Sequence, residues 1–152
     1  TAPKTWEYLN RHAGRLDKRG SAIYKNRPRF SVFGVGEYSF APFKVAISGF
    51  YKRLAFAEIG NLEGKPIVLD DTSYFVPCHS RREADLIAAM LNSDLAREFY
   101  SAFVFWDAKR PITIDILRQL SLSALAKELQ LEREFLAHLK RHPKAEKQIT
   151  MF

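Results

Sequence analysis

Residues 44–60 read KVAISGFYKRLAFAEIG, and their pattern decides the fold. Val45, Ile47, Phe50 and Tyr51 bring β-branched and aromatic side chains at close to period two, and Gly49 interrupts the run. Leu54–Ile59 then alternates cleanly. Such spacing belongs to strands whose side chains point to opposite faces in turn. The texture extends outward from Phe30 to Val76. FSVFGVG (30–36) precedes it with Gly34 and Gly36. Gly60-Asn61 and Glu63-Gly64 read as a turn before KPIVL (65–69), and TSYFV (72–76) supplies one more strand. Four to six short strands in so little chain imply a compact, mainly antiparallel sheet or a small barrel.

The period changes at Ser80. Ser80-Arg81-Arg82-Glu83 has the form of a capping box, in which a hydroxyl and a carboxylate satisfy unpaired amide donors. Ala84, Ile87, Ala88, Leu91, Leu95, Phe99 and Phe103 follow as an apolar stripe at helical spacing. Asn92-Ser93-Asp94 predicts a break or a second cap, hence two helices or a bent one. Pro111 stops whatever precedes it, Asp115–Leu120 suits a helical turn, and Leu122–Leu139 is expected to form a last helix before a charged tail. Ahead of the strands, residues 1–29 are polar and basic, with Trp6, Leu9 and Leu16 suggesting a short amphipathic helix that starts near Pro3. The expected class is therefore α+β: a basic helical lead-in (1–29), a domain over 30–120 with strands in 30–76 and helices in 80–103, and a C-terminal helix and tail (121–152).

The 152 residues suffice for one ordinary domain with a core. A hydrophobic fraction of 47% beside 27% charged residues excludes the disordered class. The net charge of +7 and a pI near 9.6 favour polyanionic partners. Cys78 stands alone, which excludes an internal disulfide and a cysteine-rich zinc site and suits a reducing cytoplasm. No apolar run is long enough to span a bilayer, and Thr1 opens a polar segment rather than a signal peptide. The missing initiator Met suggests a chain cut from something longer.

The runs PRFSVFGVGEYSFAPFKVAISGFYK (28–52) and GKPIVLDDTSYFV (64–76), then AAMLNSDLAREF (88–99) and KRPITIDILRQLSL (109–122), occur in an order that resembles the C-terminal target-recognition region of adenine-specific DNA methyltransferases of restriction–modification systems (type II or IIG-like). Leu91-Asn92-Ser93 and Ile112-Thr113 sit where that family has a Leu-Asn-Ser element and an Ile-Thr pair. The resemblance covers roughly residues 6–125. It implies a small strand-rich unit that holds one side of duplex DNA beside a catalytic domain using S-adenosylmethionine, in a cytoplasmic bacterial methyltransferase, with restriction cleavage as a second activity open to the parent enzyme. The chain departs from the family where catalysis would lie. It has no Asn-Pro-Pro-aromatic tetrapeptide, and in Phe33-Gly34-Val35-Gly36 the Phe stands one place too close to the first Gly of a cofactor loop. No catalytic residue, metal site or bound cofactor is expected in this chain, and it is not expected to catalyse by itself.

The resemblance gives the basic residues near the strands a task. Arg27, Arg29, Lys44, Lys52 and Arg53, interleaved with Tyr38 and Tyr51, are expected on a basic sheet surface that grips phosphates, with Lys109-Arg110 as a second pair. Other readings compete. Glu58, Glu63, Lys65 and Asp70-Asp71 would be the acids and base of a small magnesium-dependent nuclease, although consecutive Asp residues on a strand point apart. The last helix would make the chain a protein-interaction module. Cys78-His79 lack the partners of a nucleophile–base pair, and His138 and His142 stand four apart without a third ligand.

Overall fold

The computed structural model describes residues 2–141, with side chains described as far as residue 137. His142 and the tail lie outside the described residues, and so do the side chains of His138 and Leu139. The chain forms two compact units, Thr1–Val35 and Gly36–Phe152.

The first unit holds α1 (Pro3–Arg11), α2 (Ala13–Leu16) and a 3-10 turn at Ala22–Tyr24. Pro3 opens α1, where its missing N–H costs nothing. Among the unit's described residues only Ala13 is buried, so polar groups organise it instead. The Arg19 guanidinium donates to the carbonyls of Leu16 (2.9 Å), Ser31 (2.7 Å) and Arg29 (2.6 Å) and lies 4.0 Å over the Tyr24 ring. Arg29 forms a bidentate pair with Asp17, which holds that carboxyl below its ordinary range. Trp6 meets Phe30 edge-on at 5.3 Å.

The second unit is α+β. Its open antiparallel sheet has three strands in the order β2-β1-β3, with β1 at Phe43–Ser48, β2 at Ala57–Ile59 and β3 at Ser73–Cys78. Val45 lies opposite Glu58 on one side and Val76 on the other. Five helices follow: α3 (Arg81–Leu91), α4 (Asp94–Ser101), α5 (Ile114–Leu117), α6 (Leu122–Glu128) and α7 (Glu132–Arg141). Val45, Ile47, Val76 and Cys78 from the sheet pack with Ile87 and Leu91 of α3, Tyr100, Ile112, Leu117, Leu125 and Phe135 in one core. Tyr100 is buried there with its hydroxyl donating to the Leu117 carbonyl at 3.2 Å.

The helix starts are written in hydroxyls. Ser80, Ser93, Thr113 and Ser121 each accept from the amide three residues on, in Glu83, Ala96, Ile116 and Ala124. The buried Glu83 carboxylate returns to the His79 amide, one residue before the cap. Asn92-Ser93 divides α3 from α4, as the break at that point predicts.

The strand region is sparser than its composition suggests, and it is not a barrel. FSVFGVG forms no strand: Gly34 takes φ +73°, and Val32 and Phe33 point outward. KPIVL contributes one isolated bridge, Leu62 to Lys65, before Pro66 removes a ladder donor. The expected last helix also divides. Leu129 caps α6, Gln130 adopts φ 59°, and the amides of Gln130 and Leu131 reach back to the carbonyls of Lys127 (3.0 Å) and Ala126 (2.7 Å). This is a Schellman closure with glutamine where glycine is usual. Gln130→Gly is expected to stabilise the chain by about 1 kcal/mol, since glycine takes that conformation without Cβ strain; denaturant unfolding reads the change.

Candidate nucleic-acid interface

β1 ends at Ser48, and the chain then turns sharply. The Gly49 amide donates to the Thr72 carbonyl at 2.9 Å, and the Phe50 amide to Ser48 Oγ at 3.3 Å. A Cβ at Gly49 would stand 3.0 Å from the Tyr74 ring, 3.1 Å from the Ile112 carbonyl and 3.4 Å from Arg110 Cγ. Glycine thus lets the loop after β1 press against residues 110–112, where Pro111 and Ile112 are anchored in the core.

That approach joins two basic pairs far apart in sequence. The Arg110 guanidinium lies 4.6 Å over the Phe50 ring, a cation–π contact. Phe50 leads directly into Tyr51, Lys52 and Arg53, all exposed, Tyr51 by 74%. Lys109, next to Arg110, is exposed too, and Phe105 before it is 80% exposed. The side chains of Lys52, Arg53 and Lys109 make no hydrogen bond or ion pair among the described residues. Exposed basic and aromatic residues thus flank the Phe50–Arg110 contact along both segments, at the end of the sheet where β1 finishes and β3 begins.

Asp70 lies at this end as well, committed to its own turn. Its Oδ1 accepts from the Thr72 amide (3.1 Å) and hydroxyl (2.6 Å), and these bonds, with Arg110 nearby, pull its pKa down. Glu63 and Lys65 lie in the turn after β2, with Glu63 at φ 50°. The Glu58 carboxyl, in β2, instead hydrogen-bonds Asp85 of α3, which pushes its pKa up, and Arg81 stands 3.8 Å from Asp85. Among the described residues no three His, Cys, Asp or Glu side chains are grouped to hold a metal. Cys78 is fully buried with its Sγ 3.6 Å from the Val76 carbonyl, and burial pushes its thiol pKa far up, away from nucleophilic use.

Lys44 must be struck from the phosphate-binding set. It is 1% exposed, its Nζ donates to the Ala41 carbonyl at 2.7 Å, and it sits 5.7 Å from the Phe75 ring. β1 is the central strand and is buried on both faces. The 3-10 turn Glu37–Phe40 brings Tyr38 against Phe75 (5.9 Å), which covers the face opposite the helices. Tyr38 is half-buried in that contact rather than presented outward. The candidate cations of this unit that remain, Lys52, Arg53, Lys109 and Arg110, therefore sit on loops and not on a face of the sheet.

Burial also lowers the Lys44 pKa from its ordinary 10.5. The folded state thus disfavours the charged form at all pH values below the folded pKa, and that penalty disappears as pH rises from there through 10.5. Lys44→Met is expected to remove this alkaline gain in stability, measured by denaturant unfolding across pH, and to leave duplex affinity within about two-fold.

Of the remaining candidates, Arg27 and Arg29 belong to the first unit. Arg29 is engaged with Asp17. Arg27 is exposed, has no side-chain partner among the described residues, and lines a hollow of 210 Å³ with Lys25, Arg19 and Tyr24. Phe50 and Gly49 were not legible from the sequence as parts of the candidate site; their only signal was a glycine before two aromatics and two cations. The Gly34–Gly36 segment does not fit S-adenosylmethionine. It follows no strand and leads into a single 3-10 turn, where a cofactor loop needs a strand before it and a helix after it.

Compared with curated proteins, the chain is 56% identical over 126 residues to the Type II methyltransferase M.NspV of Nostoc sp. (strain ATCC 29411 / PCC 7524), a match that takes in 83% of this chain. It contains a methyltransferase-related region. The match covers 26% of M.NspV, so the chain spans about a quarter of that protein's length. No family model matches the chain. No solved structure matches it. No helix among the described residues is long and apolar enough to cross a membrane.

Proposed function

We propose that this chain is the target-recognition region of an adenine-specific Type II DNA methyltransferase, gripping duplex DNA for a catalytic domain that lies outside it. The convergence of Tyr51-Lys52-Arg53 with Lys109-Arg110 at one end of the sheet carries this reading. Free, closely spaced cations displace counterions from a phosphate backbone, and exposed aromatics beside them suit contact with sugars or bases. The net charge of +7 and the kinship with M.NspV support it.

Arg27 offers a further phosphate contact from the first unit, whereas Arg29 serves chiefly to hold that unit together through Asp17. S-adenosylmethionine and the flipped adenine belong to the catalytic domain, in the same polypeptide or a partner chain, in the cytoplasm. Lysine acetylation followed by mass spectrometry tests the interface. Duplex DNA is expected to shield Lys52 and Lys109 while Lys127 on α6 reacts as before. Equal labelling of all three with and without duplex would remove this surface from the account.

A further inference from the structure

The cations of this cluster are held in two different ways. Lys52, Arg53 and Lys109 are exposed, long and without a partner among the described residues, and a phosphate needs little more than a mobile positive charge within reach. Arg110 is half-buried. Its stem passes beside Gly49 and its guanidinium is clamped on the Phe50 ring. Asp70 lies close enough to feel its charge, yet no carboxylate stands within ion-pairing distance of it among the described residues. All five N–H donors of Arg110 are left without an acceptor there, in a group that the Phe50 ring supports on one face.

A ring-clamped arginine with open donors has the properties that base reading needs. Two parallel N–H groups match O6 and N7 of guanine in the major groove, and little side-chain entropy remains to be lost on binding. On the interface reading above, we infer that Arg110 is a specificity-determining residue that contacts a guanine edge, while Lys52, Arg53 and Lys109 hold phosphates.

The test is selection of randomised duplexes by the 152-residue chain and its variants, with affinity for bulk duplex measured in parallel. The wild-type chain is expected to enrich a G·C pair at one position or more. Arg110→Lys keeps the charge and loses the fork. It is expected to cut the preference at one such position about ten-fold, while bulk affinity, to which a lysine still lends its charge, falls by no more than about two-fold. Phe50→Leu, which removes the clamp and leaves the guanidinium, weakens the preference at that same position. Lys52→Ala keeps every preference and weakens binding to all sequences alike. A preference unaltered in Arg110→Lys overturns the inference, and so does a wild-type chain that binds duplex without any preference; both leave the grip itself intact. A wild-type chain that binds no duplex brings down the interface reading as well.

Discussion

Asn92→Ala is expected to destabilise the chain by about 3 kcal/mol, from three lost side-chain hydrogen bonds and the Phe56 backbone groups they leave unpaired. Asn92 lies at the C-terminal end of α3, and its amide grips a distant backbone at two points. Oδ1 accepts from the Phe56 amide (3.0 Å), and Nδ2 donates to the Phe56 carbonyl (2.9 Å) and to the Ala88 carbonyl (3.0 Å). Phe56 has a buried side chain and enters β2 directly after the basic loop, so the clip fixes that loop's far end. Alanine leaves both Phe56 backbone groups without this partner. The melting temperature should fall by roughly 10 °C for a chain of this size. Asn92→Asp should do no better, because a carboxylate cannot donate to the carbonyl. A melting temperature within a degree or two of wild type in both variants would show that the clip contributes little.

The second large effect concerns binding. Reversing Lys52, Arg53 and Lys109 to glutamate together is expected to weaken duplex affinity on the order of 100-fold or more at moderate salt, since three phosphate-neutralising charges become repulsive. None of the three is buried or partnered within the described residues, so the fold should survive, with a circular dichroism spectrum like that of wild type. Fluorescence anisotropy with a labelled duplex measures the loss. A change of less than three-fold would place the grip elsewhere on the chain.

These two predictions rest on features that were unequally legible in the sequence. The helix starts were readable because capping is local: Ser80 with Glu83, and Ser93 after Asn92, announce themselves within four residues. The position of Asn92 was readable as a break, but its clip to Phe56 was not, since that pairing depends on how α3 lies across the sheet. FSVFGVG has strand composition, yet nothing pairs with it, and pairing rather than propensity makes a strand. The division between α6 and α7 carries no glycine or proline, so Gln130 gave no warning.

The candidate site follows the same rule. Lys44 looks like its neighbours Lys52 and Arg53 in a strand-rich basic segment, and only the central place of β1 and the roof of Tyr38 on Phe75 bury it. Lys109-Arg110 was visible as a basic pair, but its union with Phe50-Tyr51-Lys52-Arg53 is tertiary, brought about by the close passage at Gly49. Charge and composition pointed to a polyanion. The meeting of Arg110 with Phe50 at the end of β1, and the burial of Lys44 within that strand, came from packing.

The most direct test of the account is the salt dependence of duplex binding by the wild-type chain. With three to four phosphates neutralised, the logarithm of the binding constant should fall against the logarithm of salt with a slope of about −3. The triple glutamate variant should show a slope close to zero over the same range. A wild-type slope near zero, or no duplex binding even at the lowest salt, would contradict the claim that this loop cluster grips DNA.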